Sequence, residues 1–137
     1  MRNGWISGLA GLCLSALLSF AAAAQEGPIE DVIRRQIEAF KADDFATAFE
    51  FASPRLQSLF GTPQNFGRMV TEGYPMVWRP AELRFLQLRE GDGGFQQLVQ
   101  IIDAEGRVHL LAYTMEQGAD GWRIAAVRIL PRPGVAV

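Results

Sequence analysis

Apolar residues recur at spacings of three and four from Ile29 through Val32, Ile33, Ile37 and Phe40. That is the stripe of a helix burying one face. Pro28 suits its first turn, where a missing N–H costs nothing. Glu30 and Asp31 near the start and Lys41 near the end match the helix dipole. Asp43 or Asp44 then caps a short second helix carrying Phe45, Ala48, Phe49 and Ala52. Two further helices share one punctuation: SPRLQSLFG starts on Ser53–Pro54 and stops at Gly61, and TPQNFGRMVTEG starts on Thr62–Pro63 and stops at Gly73. The latter gathers Phe66, Met69 and Val70 on one face; Gly67 inside it costs about 1 kcal/mol relative to Ala.

After Pro80 the texture changes to strands. ELRFLQLRE, FQQLVQIID, RVHLLAYTME and WRIAAVRIL are joined by GDGG, AEG and QGADG, linkers suited to antiparallel hairpins. Helices first and strands afterwards give an α+β domain, with N-terminal helices packed on one face of a curved antiparallel meander. A two-residue loop closed by Asp103 and Gly106 would set Val99 and Ile101 across from Leu110 and Val108, with Phe95 and Ala112 on the same helix-facing side. The other face would then hold Gln96, Leu98, Gln100, Ile102, Arg107, His109, Leu111 and Tyr113. The last strand is apolar on both sides, Trp122, Ile124 and Ala126 on one and Ala125, Val127 and Ile129 on the other. A sheet apolar on both faces needs both covered, so a homodimer through the sheet face is expected.

Residues 1–24 have the make-up of an export signal and lie outside the fold. Arg2 supplies the positive start, Ile6 to Phe20 the apolar stretch, and Ala21 to Ala24 the small residues before cleavage near Ala24. The apolar stretch is short for a membrane span, so no stable anchor is expected; an uncleaved anchor is the alternative. LAGLC resembles a lipid-attachment box, but Leu12 stands before Cys13 where a small residue is required. Cys13 is the sole cysteine, so the mature domain, residues 25–137, has no disulfide or thiol chemistry. A periplasmic or secreted location follows.

The formal net charge of −2 is spread along the chain without a basic run, and nucleic acid is not an expected partner. One histidine and no mature cysteine exclude the usual zinc sets, and no acidic cluster has calcium-loop spacing; no metal or cofactor is expected. There is no G-x-S-x-G, and GDGG lies between strands rather than before a helix, so neither a nucleophile elbow nor a phosphate loop is present. Asp43 and Asp44 read as a cap and a neighbouring charge rather than an acid–base pair. His109 falls on the face away from the helices, a structural position; at a dimer interface it would make assembly sensitive to pH.

The order of a long helix, AFKADDFATAFEFASP, a capped helix and a meander ending in GWRI resembles the cone-shaped fold shared by nuclear transport factor two and ketosteroid isomerase. Within it, QIEAFKADD, FEFASP, FG, MV and GYPMVWRP resemble an uncharacterised bacterial family, often secreted, known as a domain of unknown function. The resemblance spans residues 29–132. It implies a curved sheet closed by helices into a cystatin-like cone, and frequent dimers. It implies no activity, because this fold hosts enzymes, ligand binders and docking modules, and no catalytic residue carries over.

GYPMVWRP, residues 73–80, reads first as the corner between helices and sheet: Gly73 ends a helix, and Pro75 and Pro80 forbid its continuation. The second reading makes Tyr74, Trp78 and Arg79 the mouth of a ligand pocket in the cone, Arg79 meeting an anionic group. Phe49 and Phe66 are then deeper wall residues, or core. The leading expectation is a non-catalytic periplasmic module binding a small apolar or anionic ligand or an envelope protein. The runner-up is a small isomerase- or hydratase-type enzyme with its site in the cone, which needs a buried carboxylate facing the cavity. Asp103 is the one candidate, and its turn position argues against it.

Overall fold

The computed structural model describes residues 26–91 and 93–131; the export-signal reading falls outside them. Helix α1 covers residues 26–41 and is followed by α2 (Phe45–Glu50), α3 (Pro54–Phe60), α4 (Pro63–Gly73) and the single turn α5 (Pro75–Trp78). Four strands follow: β1 (Pro80–Gly91), β2 (Gly94–Asp103), β3 (Val108–Gly118) and β4 (Gly121–Leu130). They form one open antiparallel sheet in the order β1-β2-β3-β4. This α+β order is compatible with the arrangement the nuclear-transport-factor-two resemblance implies.

The α1 stripe is the centre of the core. Ile29, Ile33, Ile37 and Phe40 are all buried, and the Arg34 guanidinium lies 5.1 Å from the centre of the Phe85 ring on β1. The helix stops because Asp43 takes φ of 55°, a left-handed turn that most side chains avoid. Asp44 is the cap: its carboxylate accepts from the Thr47 N–H at 3.1 Å and the Thr47 hydroxyl at 2.7 Å. Ser53 and Thr62 cap α3 and α4 as the sequence pattern predicts, accepting from the N–H groups of Leu56 and Asn65.

Gly67 has a packing reason. A Cβ there would lie 2.7 Å from the Phe45 ring, so α2 and α4 approach through the absent side chain. Ala52 bridges to Ile124 on β4, with the Ser53 N–H donating to the Ile124 carbonyl and the Ile124 N–H to the Phe51 carbonyl. The connector between α2 and α3 thus docks on the outer edge of the sheet.

The β2–β3 register differs from the expected one by a residue. The Asp103 N–H bonds to the Arg107 carbonyl, and the Gly106 N–H to the Asp103 carbonyl, with Gly106 at φ of 82°. The loop therefore has three residues, a turn followed by a left-handed glycine. Val99 pairs with Leu111 and Ile101 with His109. Because facing alternates along a strand, one extra loop residue turns all of β3 over. His109, Leu111, Tyr113 and Met115 share the helix-facing side with Val99 and Ile101, while Val108, Leu110 and Ala112 face outward. The placing of His109 and Tyr113 on the outer face is corrected accordingly.

A register shift in β4 makes a second correction. Thr114 pairs with Ala126 and Met115 with Ile124, so Ala125 is an extra residue in a bulge. Beyond it the alternation changes phase, and Val127 joins Trp122 and Ile124 on the inner side. The two-sided apolar pattern of β4 is thus a bulge, not two covered faces. What remains on the outer face is a half-buried stripe of Leu98, Ile102, Val108, Leu110 and Leu130.

Gln97 is buried at 1 % exposure. Its amide NH2 donates to the carbonyls of Leu86 and Leu98, each at 2.9 Å, satisfying backbone that the irregularity between Phe85 and Leu88 withdraws from the ladder. Replacing Gly67 by Ala is expected to destabilise the domain by about 1–3 kcal/mol in chemical denaturation, since the clash with Phe45 outweighs the helix-propensity gain. A stabilised variant would show that the ring moves aside freely.

Candidate functional site

A cavity of about 230 Å³ opens between the helices and the inner face of β3 and β4. Gln36 and Phe40 of α1 form its floor; Leu56 and Phe60 of α3, with Phe66, Met69 and Val70 of α4, form one wall. Tyr74, Tyr113, Ile124 and Val127 complete it. The β4 bulge matters here, because its phase change turns Val127 inward after Ile124. Phe66 is the hub of the aromatic wall, with ring centres 5.7 Å from Phe40, 5.4 Å from Phe49 and 5.6 Å from Phe60.

No Asp, Glu, Lys, Arg or His is among the lining residues. Two of the three polar side chains already donate to backbone: the Gln36 NH2 to the Ala48 carbonyl at 3.1 Å, and the Tyr74 hydroxyl to the Val127 carbonyl at 3.2 Å. Tyr113 is different. Its residue is 0 % exposed and its hydroxyl has no hydrogen-bond partner. Leaving a buried hydroxyl unpaired costs about 1–3 kcal/mol. Burial, reinforced by the neighbouring Tyr74, raises its pKa well above that of ordinary tyrosine, so the phenol stays protonated and remains a donor.

The structure divides the sequence-derived pocket residues. Phe66 and Tyr74 line the cavity, and Phe49 stands behind Phe66. Trp78 and Arg79 border a second cleft, also about 230 Å³, together with Pro75, Met76, Asp103, Ala104, Glu105, Arg107 and His109. There they close a corner. Arg79 Nη2 donates to both Asp43 carboxylate oxygens at 2.9 and 3.1 Å, Arg79 Nη1 donates to the Phe40 carbonyl at 2.9 Å, and Trp78 Nε1 donates to Asp43 at 2.8 Å. The guanidinium also lies 4.1 Å from the centre of the Trp78 ring. The anionic group that Arg79 meets is the left-handed Asp43 at the end of α1. Those bonds, led by the one from Trp78, hold the Asp43 carboxyl below its ordinary pKa.

Asp103 is likewise occupied. It accepts from the N–H groups of Glu105 and Arg107, from Arg107 Nε at 2.8 Å, and its Oδ2 lies 2.9 Å from His109 Nε2. The His109 contact leads in holding its carboxyl well below the usual carboxylate range; burial opposes this, and the Arg107 and Glu105 bonds reinforce it. A carboxylate saturated with donors is a poor general base. It locks the hairpin instead. Among the described residues, no group of three or more His, Cys, Asp or Glu is placed to hold a metal ion.

A family model described as a domain of unknown function, DUF4864, matches residues 22–137. The chain belongs to that family. No curated protein and no solved structure matches it. The DUF4864 match takes in every element that builds the cavity, from α1 to β4. Gln36 and Tyr113, the polar residues of this cavity that the sequence did not single out, were hidden for different reasons. Gln36 lies beside an apolar stripe, and Tyr113 turns inward only with the three-residue loop.

A depressed carboxylate pKa contributes stability that is complete above the unfolded value of 3.8 and fades as pH falls below it. Asp103→Asn is therefore expected to be less stable than the parent at neutral pH, with the gap narrowing below about pH 4. Urea denaturation from pH 7 to pH 2 reads this; a gap that does not change with pH would remove the ionised hairpin lock.

Proposed function

We propose that this chain is an exported, non-catalytic module that binds a small apolar ligand in the cavity between its helices and sheet. The observation that carries the reading is the cavity itself: an apolar cleft with a few polar groups, the usual make-up of a small-molecule site. Its uncharged lining argues against the isomerase- or hydratase-type alternative, which needs a carboxylate inside. It also argues against a buried anionic ligand, since Arg79 is bonded to Asp43 in the other cleft. The curved sheet with helices closing a hollow cone, as in the nuclear-transport-factor-two superfamily, is the architecture this reading adopts. Export rests on the pattern of residues 1–24. No helix among the described residues is long and apolar enough to cross a membrane.

The module is further proposed to dimerise through its sheet face, where Leu98, Ile102, Val108, Leu110 and Leu130 leave a half-buried stripe. Native mass spectrometry of the chain purified gently from the producing cells tests the three parts together. The expected result is a dimer of chains beginning at Gln25 and carrying extra, releasable mass. Leu110→Glu on the outer face is expected to yield monomers that keep that mass. Dimers without bound mass would remove the ligand reading, unaltered dimers of Leu110→Glu the sheet-face interface, and chains retaining residues 1–24 the export step.

A further inference from the structure

Tyr113 gives the cavity a chemical preference, and this inference rests on the cavity being a ligand site. Three observations converge. The Tyr113 hydroxyl is buried and lacks a partner, and Tyr113 is among the residues that line the cavity, which makes the cavity the side from which a partner would come. The Tyr74 hydroxyl donates to one backbone carbonyl and the Gln36 amide to another through one of its two hydrogens, which leaves the Tyr113 phenol as the buried donor of the lining with no partner at all. No lining residue carries a charge, so an ionised group entering here would be desolvated without a counter-ion.

We infer that the ligand is a neutral, largely apolar molecule with one acceptor oxygen of the carbonyl kind, which takes the hydrogen bond of Tyr113. A dry cavity of about 150 Å³ holds benzene, so a space of about 230 Å³ accepts a substituted aromatic ring or a compact aliphatic of similar bulk. A neutral phenol is matched to this task, because it donates to a carbonyl oxygen and brings no charge into the apolar cleft.

Three probes of one shape separate the possibilities: acetophenone, α-methylstyrene with a methylene in place of the oxygen, and benzoate. Their affinities are measured by NMR titration for the parent chain and for Tyr113→Phe, which removes only the hydroxyl. Acetophenone is expected to bind the parent about three- to tenfold more tightly than the variant, α-methylstyrene to bind both alike, and benzoate to bind neither. Tyr113→Phe is expected to melt no lower than the parent, because no hydrogen bond is lost. The carbonyl stretch of bound 13C-labelled acetophenone, shifted to lower wavenumber relative to the ketone in hydrocarbon solvent, reads the same bond in the parent chain alone.

Equal affinity of acetophenone for parent and variant, or an unshifted carbonyl, would overturn the Tyr113 assignment while leaving an apolar cavity. Binding of benzoate as tight as that of acetophenone would overturn the requirement for a neutral ligand. Failure of both neutral probes to bind the parent would remove the cavity reading, and this inference with it.

Discussion

The register between β2 and β3 governs what the inside of this domain contains, and Asp103 holds that register. Its carboxylate ties together the N–H groups of Glu105 and Arg107, the Arg107 side chain and His109, around a three-residue loop that Gly106 completes in a left-handed turn. Were the loop one residue shorter, Leu111, Tyr113 and Met115 would face outward and Val108 and Leu110 inward. The cavity would lose its phenol and the outer stripe its centre. The one carboxylate the sequence offered for catalysis is thus a structural tie, and the polar character of the cavity depends on it indirectly.

A second constraint sets the cavity's other wall. The end of α1 turns on Asp43, and its unfavourable backbone conformation is held by Trp78 and Arg79 from the far end of the helical layer. Between these anchors the chain makes α2, α3 and α4, so the helices that surround the space are fastened at both ends of one segment. Phe66 then links Phe40, Phe49 and Phe60 within that frame. The corner GYPMVWRP does two jobs at once: Tyr74 completes the cavity, while Trp78 and Arg79 keep the surrounding helices in place.

The local signals were legible where they carried their own chemistry. Ser53–Pro54 and Thr62–Pro63 announce their helices because cap and first-turn residues act within one turn, and the α1 stripe announces its buried face by period alone. The sheet was legible as four strands but not in its facing. Whether AEG closes a two- or a three-residue loop is settled by the Asp103 network, whose members come together only in the fold. The extra residue at Ala125 has no mark in WRIAAVRIL, where both alternating sets are mostly apolar, each broken by one arginine, Arg128 in one and Arg123 in the other. Grouping Tyr74, Trp78 and Arg79 into one site followed from their closeness in sequence. The single turn of α5 separates them, with Tyr74 at the cavity and the other two beside Asp43.

The docking of Ala52 and Ser53 on β4 has a consequence for how molecules of this chain can meet. An open sheet has two outer strands, and each would ordinarily recruit a further strand through its unpaired backbone. At β4 the backbone of Ile124 is already engaged by Phe51 and Ser53, interrupting the edge at its middle. At β1 the irregularity after Phe85, with Glu82, Arg84, Arg89 and Glu90 along the strand, breaks the straight row of donors and acceptors that an incoming strand requires. Lateral polymerisation is therefore obstructed on both sides, so strand-by-strand growth into a fibre meets a blocked edge at either end of the sheet.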